Sequence, residues 1–203
     1  MSKLETNTID TVSGTSTLQV GSTNTSTITL GVSGDTINVP SGVTIANSGT
    51  ATGFGGANTP YFYAFLSSPQ NVSDATTTTV SFDSELIDTA SAFNTTNYRF
   101  TPQTAGYYQL NAQVNCDATA ADSLQLGQMF IRKNGSDISN SFVDGRNDEV
   151  GYAQTPSLSI IAQANGSTDY FTVAAYVDSS SGSQRFYGSS TSPTFFWGFK
   201  LID

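Results

Sequence analysis

Catalysis in this chain has few side chains to draw on. No histidine occurs among its 203 residues, which removes the commonest general base, the commonest zinc ligand and the usual switch near neutral pH. Paired carboxylates are the main chemistry that remains, and glutamate stands only at positions 5, 85 and 149. Glu149 has Asp148 beside it, but adjacent positions on a strand point to opposite faces. Glu85 lies near Asp83 and Asp88 in a polar segment that reads as a solvated turn. The single cysteine, Cys116, can form no internal disulfide, and its neighbours supply no base to activate a thiol. It reads as a small apolar filler. The sequence therefore argues against an enzyme. One loop offers metal chemistry: Asp144-Gly-Arg146-Asn-Asp148-Glu149 gathers carboxylate oxygens of the kind calcium takes. Its spacing is not that of an EF-hand, and the plainer reading is a charged loop in which Arg146 pairs internally. No other cofactor is indicated.

Composition narrows the partners. Charged residues make up 11% of the chain, against about 25% in an ordinary domain. With net charge −9 and seven basic residues, the chain lacks the clustered cations that nucleic-acid binding needs. No apolar run reaches membrane-spanning length, and Met1–Asp10 lacks the basic-then-apolar order of a signal peptide. The expectation is a protein made in a cytoplasm without membrane insertion. Asn-x-Ser/Thr sequons at Asn24, Asn71, Asn94, Asn134 and Asn165 are what a chain this rich in Ser and Thr yields by chance.

The elements that must position these residues fall into two regions. Of 9 Tyr, 13 Phe and 1 Trp, only Phe54 precedes residue 60, so residues 1–59 cannot build an ordinary core and 60–203 can. Thr17-Leu-Gln-Val-Gly21, Thr27-Ile-Thr-Leu-Gly31 and Thr36-Ile-Asn-Val-Pro40, with the shorter Val43-Thr-Ile45, form a weak repeat. Its order is Thr, aliphatic, polar, aliphatic, breaker. Each unit offers two aliphatics to one face, too little for one chain to offset its ordering entropy. Several copies wound about an axis could bury them, so the pattern predicts a β-structured stalk rather than a loose Ser/Thr-rich tail. Gly49–Pro60 reads as a linker. Residues 60–203 read as strands over Tyr61–Leu66, Thr77–Phe82, Tyr98–Phe100, Tyr107–Val114, Leu124–Arg132, Ile138–Val143, Ser157–Gln163, Tyr170–Val177 and Thr194–Ile202. Turn formers separate them and no helical period intervenes, which predicts an all-β, antiparallel jelly-roll sandwich.

Phe100-x-Pro102, then Gly106-x-Tyr108-x-Leu110, resembles the signature of the complement component 1q head, a family related to the tumour necrosis factor cytokines. Other landmarks follow in the same order: Ala64-Phe65; Ile131-Arg-Lys-Asn134-Gly135; Leu158 and Ile160 before the hairpin at Asn165; and Phe196-x-Gly198-Phe199 with Leu201-Ile202. The late turn departs from the pattern, reading Asn165-Gly-Ser-Thr-Asp-Tyr170 where the family more often has a compact Gly-Asp. The resemblance implies a tight homotrimer of jelly-roll heads on a trimeric stem, and some members of that family bind calcium. Residues 1–59 have no Gly-x-y period, so this stem is not collagen. The start, Leu4–Leu18, resembles N-terminal segments of marine-phage structural proteins, and a short β-stalk with such a head resembles bacteriophage virion fibres.

Within that frame, Tyr107, Gln109, Asn111 and Gln113 form an uncharged row on the polar side of their strand. It is either a solvated face or a trimer interface, which favours aromatic and amide groups over unpaired charge. Phe195, Trp197 and Phe199 share one face of the last strand; one aromatic set there meets the core and the other a neighbouring subunit. Tyr61 and Tyr63 pose the same choice. Phe186 and Tyr187 are read as loop aromatics facing a receptor. The expected protein is a virion fibre or spike subunit. Residues 1–59 anchor it, with 1–48 meeting other virion proteins, and residues 60–203 form a head that attaches to a host-surface glycan or protein. The alternatives are a capsid decoration or head fibre that stabilises the particle, and a non-viral cytokine-like ligand. If carboxylate catalysis is absent, alanine at Glu85, Asp148 and Glu149 leaves every assayed function unchanged apart from a calcium effect; a loss of hydrolytic turnover in any of these variants would overturn that exclusion.

Overall fold

The computed structural model describes residues 20, 27–31, 33–46, 48, 58–146, 151–191 and 193–202. The chain divides into two units, Met1–Thr52 and Gly53–Asp203. In the first, no described residue lies in a strand or helix. The repeat units Thr27–Gly31, Thr36–Pro40 and Val43–Ile45 are separated by turns at Ser33-Gly34 and Ser41-Gly42, the second closed by Val43 N donating to Pro40 O at 3.2 Å. Among the described residues of this unit the expected strands do not form. Ile28, Leu30, Ile37, Val39, Val43 and Ile45 are all exposed. Thr17–Gly21 lies outside the described residues except for Val20.

The second unit is all β among its described residues, with no helix long and apolar enough to cross a membrane. Its strands are β1 Tyr61–Phe65, β2 Gln70–Val72, β3 Thr78–Thr79, β4 Ser84–Asp88, β5 Phe93–Asn94, β6 Arg99–Phe100, β7 Ala105–Gln113, β8 Cys116–Ala118, β9 Leu124–Lys133, β10 Ser136–Asp144, β11 Ala153–Gln154, β12 Ser157–Asn165, β13 Phe171–Ser179, β14 Gln184–Phe186 and β15 Phe195–Lys200. One sheet has the order β12-β7-β15-β1-β4, a second β10-β9-β13-β6-β5 with β3 beside β13, and a small third β11-β8-β14-β2. Every pairing among them is antiparallel. The jelly-roll sandwich expected from the turn-punctuated alternation is what forms.

The core is filled by inward residues of all three sheets. Phe62, Tyr108, Leu110 and Phe196 come from the first, Phe93, Phe100, Met129, Ile131 and Phe171 from the second, and Cys116 and Phe186 from the third. Phe62 stands at the centre, its ring centroid 4.1 Å from Phe100, 5.4 Å from Phe93 and 4.9 Å from Phe196. All nine predicted strands are present, with Thr77–Phe82 shrunk to β3. The sequence reading did not find β2, β4, β5, β8, β11 and β14, most of them only two or three residues long, which show no alternation to detect. The supposed solvated turn around Glu85 is the edge strand β4. Its flanking carboxylates tie loops: Asp83 accepts from Ser67 N and Oγ, both at 2.7 Å, and Asp88 accepts from Ala92 N at 3.1 Å and Phe93 N at 2.9 Å. Partial burial, with the charge of Asp88 second, raises the Glu85 carboxyl above its ordinary range.

The lengthened late turn is compact. Asn165 Oδ1 accepts from the amides of Ser167, Thr168 and Asp169 at 3.0 Å each. Asp169 in turn accepts from Asn134 Nδ2 at 2.8 Å and lies 2.9 Å from Lys133 Nζ, joining the two Asn-Gly turns at one end of the head. Gly166 has φ +73° and its missing Cβ would collide with Ala105, so a side chain there is both strained and obstructed. Deleting the ring at the centre of the core should cost about 3–5 kcal/mol: Phe62→Ala is expected to lower the denaturant midpoint sharply at unchanged m-value, and a shift below about 1 kcal/mol would mean the aromatic cluster is not what joins the sheets.

Candidate functional site

Alternation along β1, β7, β12 and β15 leaves one set of side chains on the core and the other on the outer face of the first sheet. The register aligns the outer set in rows. Tyr63 pairs with Trp197, Trp197 with Asn111, and Asn111 with Ser159. On one side runs Tyr61–Phe199–Gln109–Ile161, and on the other Phe65–Phe195–Gln113–Ser157. Tyr107 extends β7 opposite Gln163, and Ile87 of β4 stands opposite Tyr63. All nine residues singled out in the sequence thus share one face, although they come from three strands far apart in the chain. No residue in these rows is charged.

The face is neither core nor ordinary surface. Tyr61 and Tyr107 are exposed, while Tyr63, Phe195, Trp197 and Phe199 are half-buried. Trp197 and Phe199 stack with ring centroids 6.2 Å apart, and Tyr63 stacks on Phe195 at 5.7 Å. A shallow apolar groove of about 340 Å³ runs along Tyr61, Tyr63, Ile87, Trp197 and Phe199. A second, of about 310 Å³, lies on the far side of Trp197 against Asn111, Gln113, Ser157 and Ser159. Gln109 Nε2 donates to Ser159 Oγ at 3.4 Å and Gln113 Nε2 to Pro193 O at 3.0 Å. Asn111 Nδ2 is buried and has no acceptor among the described residues. Such a donor carries an uncompensated desolvation cost of about 1–3 kcal/mol. Sequence spacing had not shown that Phe65, Ile87 and Ile161 join this face, because their places depend on pairing register.

Two other expectations change. Phe186 is not a receptor-facing loop residue: it is fully buried on β14 and belongs to the core, since its strand places it opposite Cys116. Tyr187, the next residue, is exposed. Of the proposed calcium ligands, Asp148 and Glu149 lie outside the described residues. Asp144 is taken by Arg146, whose Nε donates to Oδ1 at 2.9 Å, and this contact holds the carboxyl at about 2. Among the described residues no group of three or more His, Cys, Asp or Glu side chains is placed to hold a metal ion.

Two further side chains meet where the sequence showed nothing. Asp117, beside Cys116, is buried and bound by Arg185, with Nε donating to Oδ2 at 2.8 Å. The pair arises because β8 and β14 are neighbours, 68 residues apart in sequence. The Cys116 thiol gains no activation from this: burial pushes it up to about 12.

No family model matches the sequence, and no curated protein matches it. Solved structures do match in fold. The globular domain of a zebrafish complement 1qA protein has 11% identity and a TM-score of 0.51, covering 70% of this chain and 98% of that one. Murine APRIL, crystallised at pH 5.0, has 14% identity and a TM-score of 0.50, covering 70% of this chain and 99% of that one. The head therefore has the jelly-roll fold of the complement 1q and tumour necrosis factor heads. Because the Cys116 thiol stays protonated far above neutral pH and lies in the core, it is expected to resist a thiol reagent at pH 8 until the protein unfolds. Stoichiometric labelling of the native protein within minutes would show that the β8 region opens.

Proposed function

We propose that this chain is a structural, non-enzymatic protein whose head trimerises through the outer face of the β12-β7-β15-β1-β4 sheet. One observation carries the reading: that face is built of aromatic and amide side chains with no charge, half-sealed in a single chain. A solvated sheet surface gains from Lys and Glu, whereas an interface core excludes unpaired charge and favours Tyr, Trp and Phe. The buried Asn111 Nδ2 supports the same conclusion, since a second copy can supply its acceptor. The sheet fold held in common with the complement 1q and APRIL heads supports this mode of assembly by analogy.

Residues 1–59 act as anchor and stalk, and residues 60–203 as the head. Three copies of the repeat wind together and bury the aliphatic pairs that one chain leaves exposed. The stalk joined to such a head, and the N-terminal likeness to phage structural proteins, support a virion fibre that attaches to a host-surface glycan or protein. Multivalent display then lets weak single contacts sum to useful avidity. A second reading, a soluble cytokine-like trimer, is supported by the same fold likeness to APRIL. Particle composition separates the two: mass spectrometry of purified virions is expected to detect a virion component, as the fibre reading requires, and not a soluble ligand. For assembly, the wild type is expected to scatter light as a trimer at micromolar concentration and Asn111→Lys as a monomer, because three new charges meet near one axis. A monomeric wild type, or a lysine variant that trimerises equally well, would sink the interface.

A further inference from the structure

The small sheet carries a polar site that neither the core nor the uncharged face uses. Asp117 is 2% exposed, and Arg185 binds only its Oδ2, through Nε at 2.8 Å and Nη2 at 2.6 Å. Its Oδ1 is buried with no donor among the described residues, and the Oδ1 of Asn115 is in the same condition. The two residues sit on the same side of the extended chain. The β8–β14 pairing continues there through Tyr187 N, which donates to Asn115 O at 2.8 Å. Over them lies a cavity of about 350 Å³ lined by Asn115, Asp117, Tyr152, Ala153, Arg185 and Tyr187. Tyr152 and Tyr187 are exposed at its rim, and the Arg185 guanidinium lies 5.5 Å from the Tyr187 ring centroid.

We propose that this cavity is a subsite for a neutral saccharide. The charges of Arg185 and Asp117 already compensate one another, which leaves little gain for a free cation or anion. What stays unmet is hydrogen-bond capacity: two acceptor oxygens beside a planar guanidinium donor. Sugar hydroxyls both donate and accept, so one ring can serve both. A hydroxyl reaches the two acceptors by displacing the exposed Tyr152 ring, with the Arg185–Asp117 pair left closed. The tyrosine rings offer flat apolar faces to the C–H side of a pyranose, and the volume falls in the usual small-ligand range of about 300–1,000 Å³. The site gives the attachment reading a ligand class and rests on that reading for its biological purpose, but its walls come from a single chain.

The test is saturation-transfer NMR on the full chain with glucose, galactose, mannose, fucose, N-acetylglucosamine and N-acetylgalactosamine at millimolar concentration. At least one sugar is expected to receive saturation at its ring protons. Asn115→Ala and Tyr187→Ala should each weaken that binding at least tenfold. Both variants keep the main-chain bonds of these residues, so an unchanged melting temperature and oligomeric state confirm that they fold. Absence of transfer from all six sugars, or binding that survives both substitutions, overturns the proposal. Blocking host-cell adsorption of virions with excess isolated protein tests attachment separately. Blocking without sugar binding leaves attachment standing on another ligand, and sugar binding without blocking leaves the pocket standing without that role.

Discussion

The head depends on the Phe62 ring. It stacks on Phe100 and Phe93 from the second sheet and meets Phe196 edge-on within its own, so one side chain holds both layers in contact. Seating it requires β15 to lie close against β7. Gly198 permits this, since a Cβ there would stand 2.6 Å from Gln109 O and 2.7 Å from Leu110 Cδ2. Once the inward positions of β1, β7 and β15 are committed to this cluster, pleating leaves no choice about the outward ones. The uncharged face is thus the obligate reverse of the core, and a register slip of one residue would exchange the two.

The two faces of these strands differ in what completes them. Inward, the aromatics find partners within the chain. Outward, Tyr63 stacks on Phe195 and Trp197 on Phe199 within one sheet, and among the described residues Asn111 keeps a buried donor unmet. The N-terminal repeat shows a similar pattern: the aliphatics of its described units are exposed and no described residue there lies in a strand. Two separate parts of the chain therefore expose apolar surface among the described residues.

Much of the fold was legible because alternation is a local signal. Tyr107 to Gln113, Ser157 to Gln163 and the aromatic run at Phe195 each declared two faces from their own residues. The short strands were not legible: β8 and β14 have three residues each, and their pairing is set by the sheet around them. Phe186 was misread for that reason, since it follows a turn-like run and only its place opposite Cys116 makes it core. The Arg185–Asp117 pair and its cavity were hidden likewise, because nothing near Asp117 in sequence hints at a guanidinium.

The sequence by itself determined the class: an all-β chain with one aromatic-rich domain, no histidine for acid–base or zinc chemistry, and strand faces sorted into apolar and amide sets. These follow from residue type and a period of two, both of which act over a few neighbours. Only the tertiary structure decided which strands lie side by side. It aligned Tyr63, Trp197 and Asn111 in one row, moved Phe186 inside, and brought Arg185 over Asp117. Register and sheet order are fixed by closing loops tens of residues long around a shared core, and no local pattern encodes them.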